Sequence, residues 1–401
     1  MLEKETVYLL GAGFNKCVND WHGLKPPLAT NFFQTVLKSE KYQTEYYSEK
    51  VRSVYEYIEK YWKKSKDDLL NQPFDLEDCF TFLELQYYES EKDGNSDKAA
   101  ELATINFQLI SMLAEFLSEF ELFGHTSDLL RDFGKQIYKE MPTVITFNYD
   151  CILETAIESA SQVRGEIPDS FRGAPNENND VPDEELSYSH YNWNRPLGYG
   201  FKFDEVQLQR AGISTYVDGH RFYNHPENNL HNWKILKLHG SLNWFRYLPI
   251  RKYPVFPDEP EVSLPEEKEK EVILIKARWW FSEPPDLKGW YIDPLIITPT
   301  LHKEEILHDP VYNRIFDPIW KKAKSVLSKC AKLVVIGYSF PSTDFLTRKL
   351  LLETFSEHAI ERLAVVNPDP SVVQKVKDLC HFERPATVCK NLEEFLHWVE
   401  V

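Results

Sequence analysis

Seven short runs punctuate this chain, each apolar and rich in β-branched residues. They are TVYLL before Gly11, TVITF before Asn148, KILKL before His239, LIITP near Leu295, KLVVIG ending at Gly337, RLAVV before Asn367, and the weaker ATVC near Thr387. Runs this short and apolar, closed by Gly, Asn or Pro, read as strands buried on both faces, the mark of a parallel sheet. Helical spacing separates several of them. Ile315, Ile319, Ala323 and Val326 share one face before KLVVIG, and further helices are expected after Pro341 and Pro370. The alternation predicts an α/β fold, a Rossmann-like doubly wound parallel sheet.

Residues 41–140 break the alternation. Tyr47, Val51, Val54, Ile58 and Tyr61 keep helical spacing, as do Leu102, Ile105, Leu109, Met112, Phe116 and Phe120. This predicts a helical insertion of four or five helices after the first strand. Residues 165–232, rich in Asn, Tyr, Pro and Gly, read as an ordered, loop-rich insertion. Residues 249–290 open on Pro-Asp-Glu-Pro and a Glu/Lys run and read as a solvated excursion. The whole is expected to be one domain.

In an open parallel sheet, ligands bind at the carboxyl ends of strands. The chemistry-bearing residues are therefore sought there. Gly11-Ala12-Gly13-Phe14-Asn15 suits a tight turn that lets backbone approach a phosphate, or simply a sharp turn; no third Gly follows at the dinucleotide spacing. Asn148 and Asp150 follow TVITF, and Asp150 also suits a helix cap. His239-Gly240 would project an imidazole into the same crevice, where it could accept a proton near neutral pH. Gly337-Tyr338-Ser339 suits phosphate or ribose contacts, and Asn367 a ribose.

Net charge and cysteine usage exclude several classes. The formal charge of −17 argues against direct nucleic-acid binding and leaves room for a basic protein partner. Six scattered cysteines form no C-x-x-C pair, so neither a zinc ribbon nor a disulfide scaffold is expected. Buried cysteines in a reducing cytosol are expected instead. No signal peptide is read at the N-terminus, and no apolar run approaches the roughly 20 residues of a membrane span. The expectation is a soluble cytoplasmic protein without a membrane. No Gly-x-x-x-x-Gly-Lys-Ser/Thr loop occurs, so the chain is not itself a P-loop ATPase. His220, His225 and His231 near Asp218 match no metal-ligand spacing, and no metal is expected.

In order along the chain, Gly11-Ala12-Gly13, Asn148-x-Asp150, His239-Gly240, Gly337-Tyr338-Ser339 and Asn367 resemble the sirtuin-like superfamily. The four-cysteine zinc module of sirtuin deacylases is missing, since no cysteine lies between Cys151 and Cys330. Phe14-Asn15 stands where sirtuins usually carry Ser or Thr. These departures resemble the NAD-hydrolysing, sirtuin-like effectors of bacterial anti-phage defence, in particular the stand-alone subunit of a HerA-associated system.

The resemblance implies NAD as substrate, no zinc, and an NAD glycohydrolase that depletes NAD in abortive infection. It also implies a homo-oligomer and a HerA-type ATPase partner. If the crevice binds NAD, His239 is expected as general base and Asn148 as positioning water or ribose; the resemblance implies Asp150 binding the nicotinamide amide. It implies cofactor contacts from Gly11, Ala12, Gly13, Phe14, Asn15, Gly337, Tyr338, Ser339 and Asn367. Two other readings stay open: an NAD-dependent deacylase or ADP-ribosyltransferase, and a non-catalytic NAD or ADP-ribose sensor.

Overall fold

The computed structural model describes residues 5–18, 22–124, 127–161, 195–210, 213–229, 234–249, 272–275, 289–298, 310–341 and 344–400. Its main sheet has six strands: β1 (Glu5–Leu10), β2 (Thr143–Thr146), β5 (Ile235–Lys237), β9 (Cys330–Ile336), β10 (Arg362–Val366) and β11 (Thr387–Cys389). They lie in the order β11-β10-β9-β1-β2-β5, and every pairing is parallel. Numbered within the sheet this is 3-2-1-4-5-6, the doubly wound order whose switch point falls between the first and fourth strands, here β1 and β9. The predicted Rossmann-like α/β class is therefore correct.

One row of residues crosses the sheet: Leu236, Ile145, Leu9, Val335, Val365 and Val388. All but Val388, on the edge strand, are buried. Because register is this even, the strands end level. The ladder continues one step past them. Leu238 N–H donates to Thr146 O, Phe147 to Leu10, Gly11 to Ile336, Gly337 to Val366 and Asn367 to Cys389, all at 2.9–3.1 Å. The motifs singled out in the sequence thus begin on a single edge.

Between β1 and β2 the described residues form eight α-helical segments, four of them longer than ten residues: α1 (Arg52–Trp62), α2 (Leu76–Lys92), α3 (Ser96–Gly124) and α4 (Asp128–Glu140). Asp75 and Ser127 cap α2 and α4 with their side chains. The helical pattern from Tyr47 to Tyr61 is split at Val51, which leaves helical geometry. α3 is long and apolar enough to cross a bilayer, unlike any run marked in the sequence. Its Leu102, Ile105, Leu109, Met112, Phe116 and Phe120 are buried in the core.

Beyond β2 come α5 (Ile152–Ser161), α6 (Pro310–Leu327), α7 (Phe345–Glu357), α8 (Ser371–Leu379) and α9 (Leu392–Glu400). The four residues expected on the inner face of α6 are buried.

A second sheet was not expected. It has five strands in the order β4-β3-β7-β6-β8: β3 (Glu205–Arg210), β4 (Ile213–Asp218), β6 (Gly240–Pro249), β7 (Val272–Ile275) and β8 (Gly289–Ile296). β3 and β4 fall inside the range read as loop-rich, and β7 inside the range read as a solvated excursion. The LIITP run, expected in the parallel sheet, belongs instead to β8 and pairs antiparallel with β6. An apolar run reports burial, not which sheet does the burying. The rest of 165–232 and 249–290 lies largely outside the described residues.

The chain passes between the sheets at Gly240, whose φ of +82° is left-handed. A Cβ there would overlap the Leu295 carbonyl oxygen. Gly240→Ala should therefore lower Tm sharply, with a loss of stability larger than the ~1 kcal/mol scale of an ordinary Gly-to-Ala entropy effect. An unchanged melting curve would mean that β8 yields easily.

Candidate active site

Two loops cross at the switch point. Gly13 N–H donates to Gly337 O at 2.8 Å, and a Cβ on Gly13 would lie 2.8 Å from Gly337 Cα. Gly337 itself has φ +62°. A Cβ on Gly11 would meet the Tyr338 ring at 2.6 Å. The glycines are thus explained by close passage of the loops after β1 and β9. The N–H groups of Gly11, Gly13 and Phe14 are all committed within the protein.

Beside this crossing three polar side chains form a chain. Asn148 Nδ2 donates to Asn15 Oδ1 at 3.1 Å. Asn15 Nδ2 donates to Asp150 Oδ2 at 2.6 Å. The other Asp150 oxygen accepts the Ile152 N–H at 3.1 Å, so Asp150 also caps α5. All three residues are buried. Asn148 keeps a carbonyl oxygen and a second amide hydrogen that no described residue engages. Burial pushes the Asp150 carboxyl above its ordinary range; the Lys237 charge, the Ile152 N–H and the Asn15 amide oppose the rise without cancelling it.

His239 stands one residue past the end of the β5 ladder, 6% exposed. Its ring lies against Phe147, with centroids 5.2 Å apart, and nearly parallel to Tyr149 at 6.3 Å. Phe147 in turn stacks on Tyr338 at 4.2 Å. The His239 carbonyl accepts the Ile297 N–H at 2.8 Å. The Tyr149 hydroxyl donates to the Ile297 carbonyl at 2.9 Å. Burial raises the Tyr149 pKa well above its usual value, and the charges of Glu77, Asp344 and Glu84 add to it. Two of those carboxylates come from α2, so the helical insertion reaches this edge.

The remaining expected residues divide. Ala12 and Ser339 are exposed at the edge. Phe14 is buried and packs on Phe133, centroids 5.1 Å apart, as core. Tyr338 is buried, its hydroxyl donating to Asp344. Asn367 ties neighbouring loops: its oxygen accepts the Asp369 N–H at 2.9 Å, and its amide reaches Tyr338 O at 3.5 Å.

Sequence reasoning missed the buried ions behind the edge. Lys237, fully buried, donates to Asp150 O at 2.5 Å and Glu154 Oε1 at 2.9 Å. Tyr199 donates to the same Glu154 oxygen at 2.7 Å. Arg195 bonds Glu121, Glu158 and Thr155 at 2.8–3.0 Å. Burial works to lower the Lys237 pKa, but Glu154, Cys151 and Asp150 outweigh it, and the net direction is up. The available signal was a lysine inside the apolar run KILKL.

All six cysteines are unpaired, and five are buried. Burial pushes the Cys17, Cys79 and Cys330 thiols up to about 12. Asp218 caps the turn Gly219–Tyr223, and His220 bonds Asn224. His231 lies outside the described residues.

Strand order and edge chemistry together define a Rossmann-like α/β protein with buried polar side chains gathered at the strand ends of one sheet edge. No known family profile matches the chain, and no curated protein matches it. Among solved structures, a Sir2 homolog in complex with NAD aligns with 99% of this chain and 88% of its own, at 11% identity and a TM-score of 0.34. A likeness at that score carries no argument; the fold class rests on strand order and register.

Proposed function

We propose that the crevice binds NAD as a substrate and cleaves it to nicotinamide and ADP-ribose. The observation that carries the reading is that the Asn148–Asn15–Asp150 chain and the His239 ring, which packs on Phe147 and Tyr149 either side of Asn148, stand at the strand ends of one sheet edge. Breaking the C1′–nicotinamide bond develops positive charge on a loosely held sugar, as in glycoside cleavage. The bond's electron pair leaves with nicotinamide, and a water oxygen takes its place on C1′. His239 accepts the proton that this water loses, directly or through a ribose hydroxyl. Asn148, with its uncommitted amide hydrogen and carbonyl, positions the water or the ribose. Asp150 organises both asparagines and faces the nicotinamide amide.

A role in anti-phage defence, a homo-oligomer and a HerA-type ATPase partner belong to the same reading. They rest on the motif resemblance alone.

Purified protein incubated with NAD and an acetylated peptide, with products resolved by chromatography, tests the reaction. Nicotinamide with free ADP-ribose is expected. O-acyl-ADP-ribose would instead mean a deacylase, and tight NAD binding without turnover, partner ATPase present, a sensor. Asn148→Ala should lower turnover on the order of 10²-fold, the scale of removing one positioned polar group, and leave the melting curve near that of the parent. Loss of folding would show that Asn148 serves the turn instead.

A further inference from the structure

Asp344 lies outside every motif of the crevice, yet its side chain is directed to the centre. It occupies the N-cap position of α7, where aspartate ordinarily accepts a helix N–H. Here the carboxylate makes no cap bond. It is 2% exposed and turned inward. One oxygen accepts the Tyr338 hydroxyl. The other lies 3.5 Å from His239 Nε2. Burial, and then the Asp344 charge, raise the Tyr338 pKa well above its usual value, so Tyr338 keeps its proton and Asp344 is the acceptor.

We propose that Asp344 is the positioning carboxylate of the site: it holds the ring proton of His239 on Nε2 and thereby makes Nδ1 the nitrogen that accepts a proton. The chemistry is that of any carboxylate beside an imidazole. A carboxylate only accepts, so the nitrogen facing it is the donor, and a neutral ring has one N–H to give. The proton released by water then arrives at Nδ1, and the imidazolium so formed is stabilised by Asp344, which stays ionised. The 3.5 Å separation is ion-pair range, and such contacts tighten when substrate is bound.

Other groups near the ring are Tyr149 beside it, Tyr338 across Phe147, and Glu77 and Glu84 of α2, which act on Tyr149; Lys237 lies two residues earlier on the same strand and pairs with Glu154 and the Asp150 carbonyl. Asp344 sets a carboxylate oxygen 3.5 Å from the ring's Nε2.

The inference builds on His239 as the base, but its test is read without NAD. Isotope-labelled histidine is followed by NMR across pH, with the His239 signal assigned by its loss in His239→Ala. The neutral ring is expected as the Nε2–H tautomer. In Asp344→Asn the His239 titration midpoint should fall by about 1 pH unit or more, the effect of removing an adjacent opposite charge. An Nδ1–H ring in the parent protein would overturn the proposal whatever the variant does. So would a midpoint and tautomer unchanged in a folded Asp344→Asn. Should the parent protein leave NAD intact, these ring measurements still decide the role of Asp344. If NAD is cleaved, Asp344→Asn should also move the acid limb of the kcat profile, which loss of packing alone would not do.

Discussion

Alanine at position 239 will lower NAD cleavage by ~10²–10⁴-fold, the usual contribution of a positioned general base. On the proposed function the loss should appear mainly in kcat, because Asn148, Asn15 and Asp150, the groups proposed to hold the substrate, stay in place. His239 is buried against Phe147 and Tyr149, so a void is left where the ring was. His239→Gln fills most of that void and cannot serve as a base. Equal loss in both variants assigns the effect to proton transfer. Near-parental turnover in either folded variant would remove His239 from the chemistry.

The second large effect concerns folding. Lys237→Met should cost ~3–5 kcal/mol, the scale for leaving one partner of a buried ion pair alone. Methionine nearly matches the lysine stem in volume, so packing changes little. What is lost is the ammonium between Glu154 and the Asp150 carbonyl, in a site with no exposure. Glu154 then keeps the Tyr199 hydroxyl but loses its cation. Adding Glu154→Gln to Lys237→Met should recover part of the loss, since the lone charge disappears with it. Urea unfolding of the two single variants and the double variant measures this. A cost below about 1 kcal/mol for Lys237→Met would mean that water reaches the pair.

The same pair of residues shows what could be read from the chain and what could not. Leu9, Ile145, Val335 and Val365 announced themselves as one sheet, because strands buried on both faces leave no polar alternation to confuse. Asn15, Asn148, Asp150 and His239 were legible as strand-end polar groups. Lys237 was passed over because it sits among three apolar neighbours, and only the fold shows which carboxylate it meets. Asp344 was not singled out in the sequence, where only a helix after Pro341 was expected; that its carboxylate turns inward instead of capping is a fact of three-dimensional placement. The strands β3 and β4 were legible in principle. Val206 and Leu208 alternate with polar residues, as do Ile213, Thr215 and Val217. They were masked by the Asn-, Tyr- and Pro-rich sequence around them.

His239 is also the point at which the two sheets are fastened. Its carbonyl takes the Ile297 N–H, Gly240 turns the chain directly into β6, and the Tyr149 hydroxyl holds the Ile297 carbonyl. No slack segment stands between the second sheet and the imidazole. A rotation of that sheet would therefore move the backbone that carries the ring. A displacement near 1 Å at reacting groups is worth roughly 10²-fold in rate. The seat of the imidazole would thus follow any shift of the five-stranded sheet.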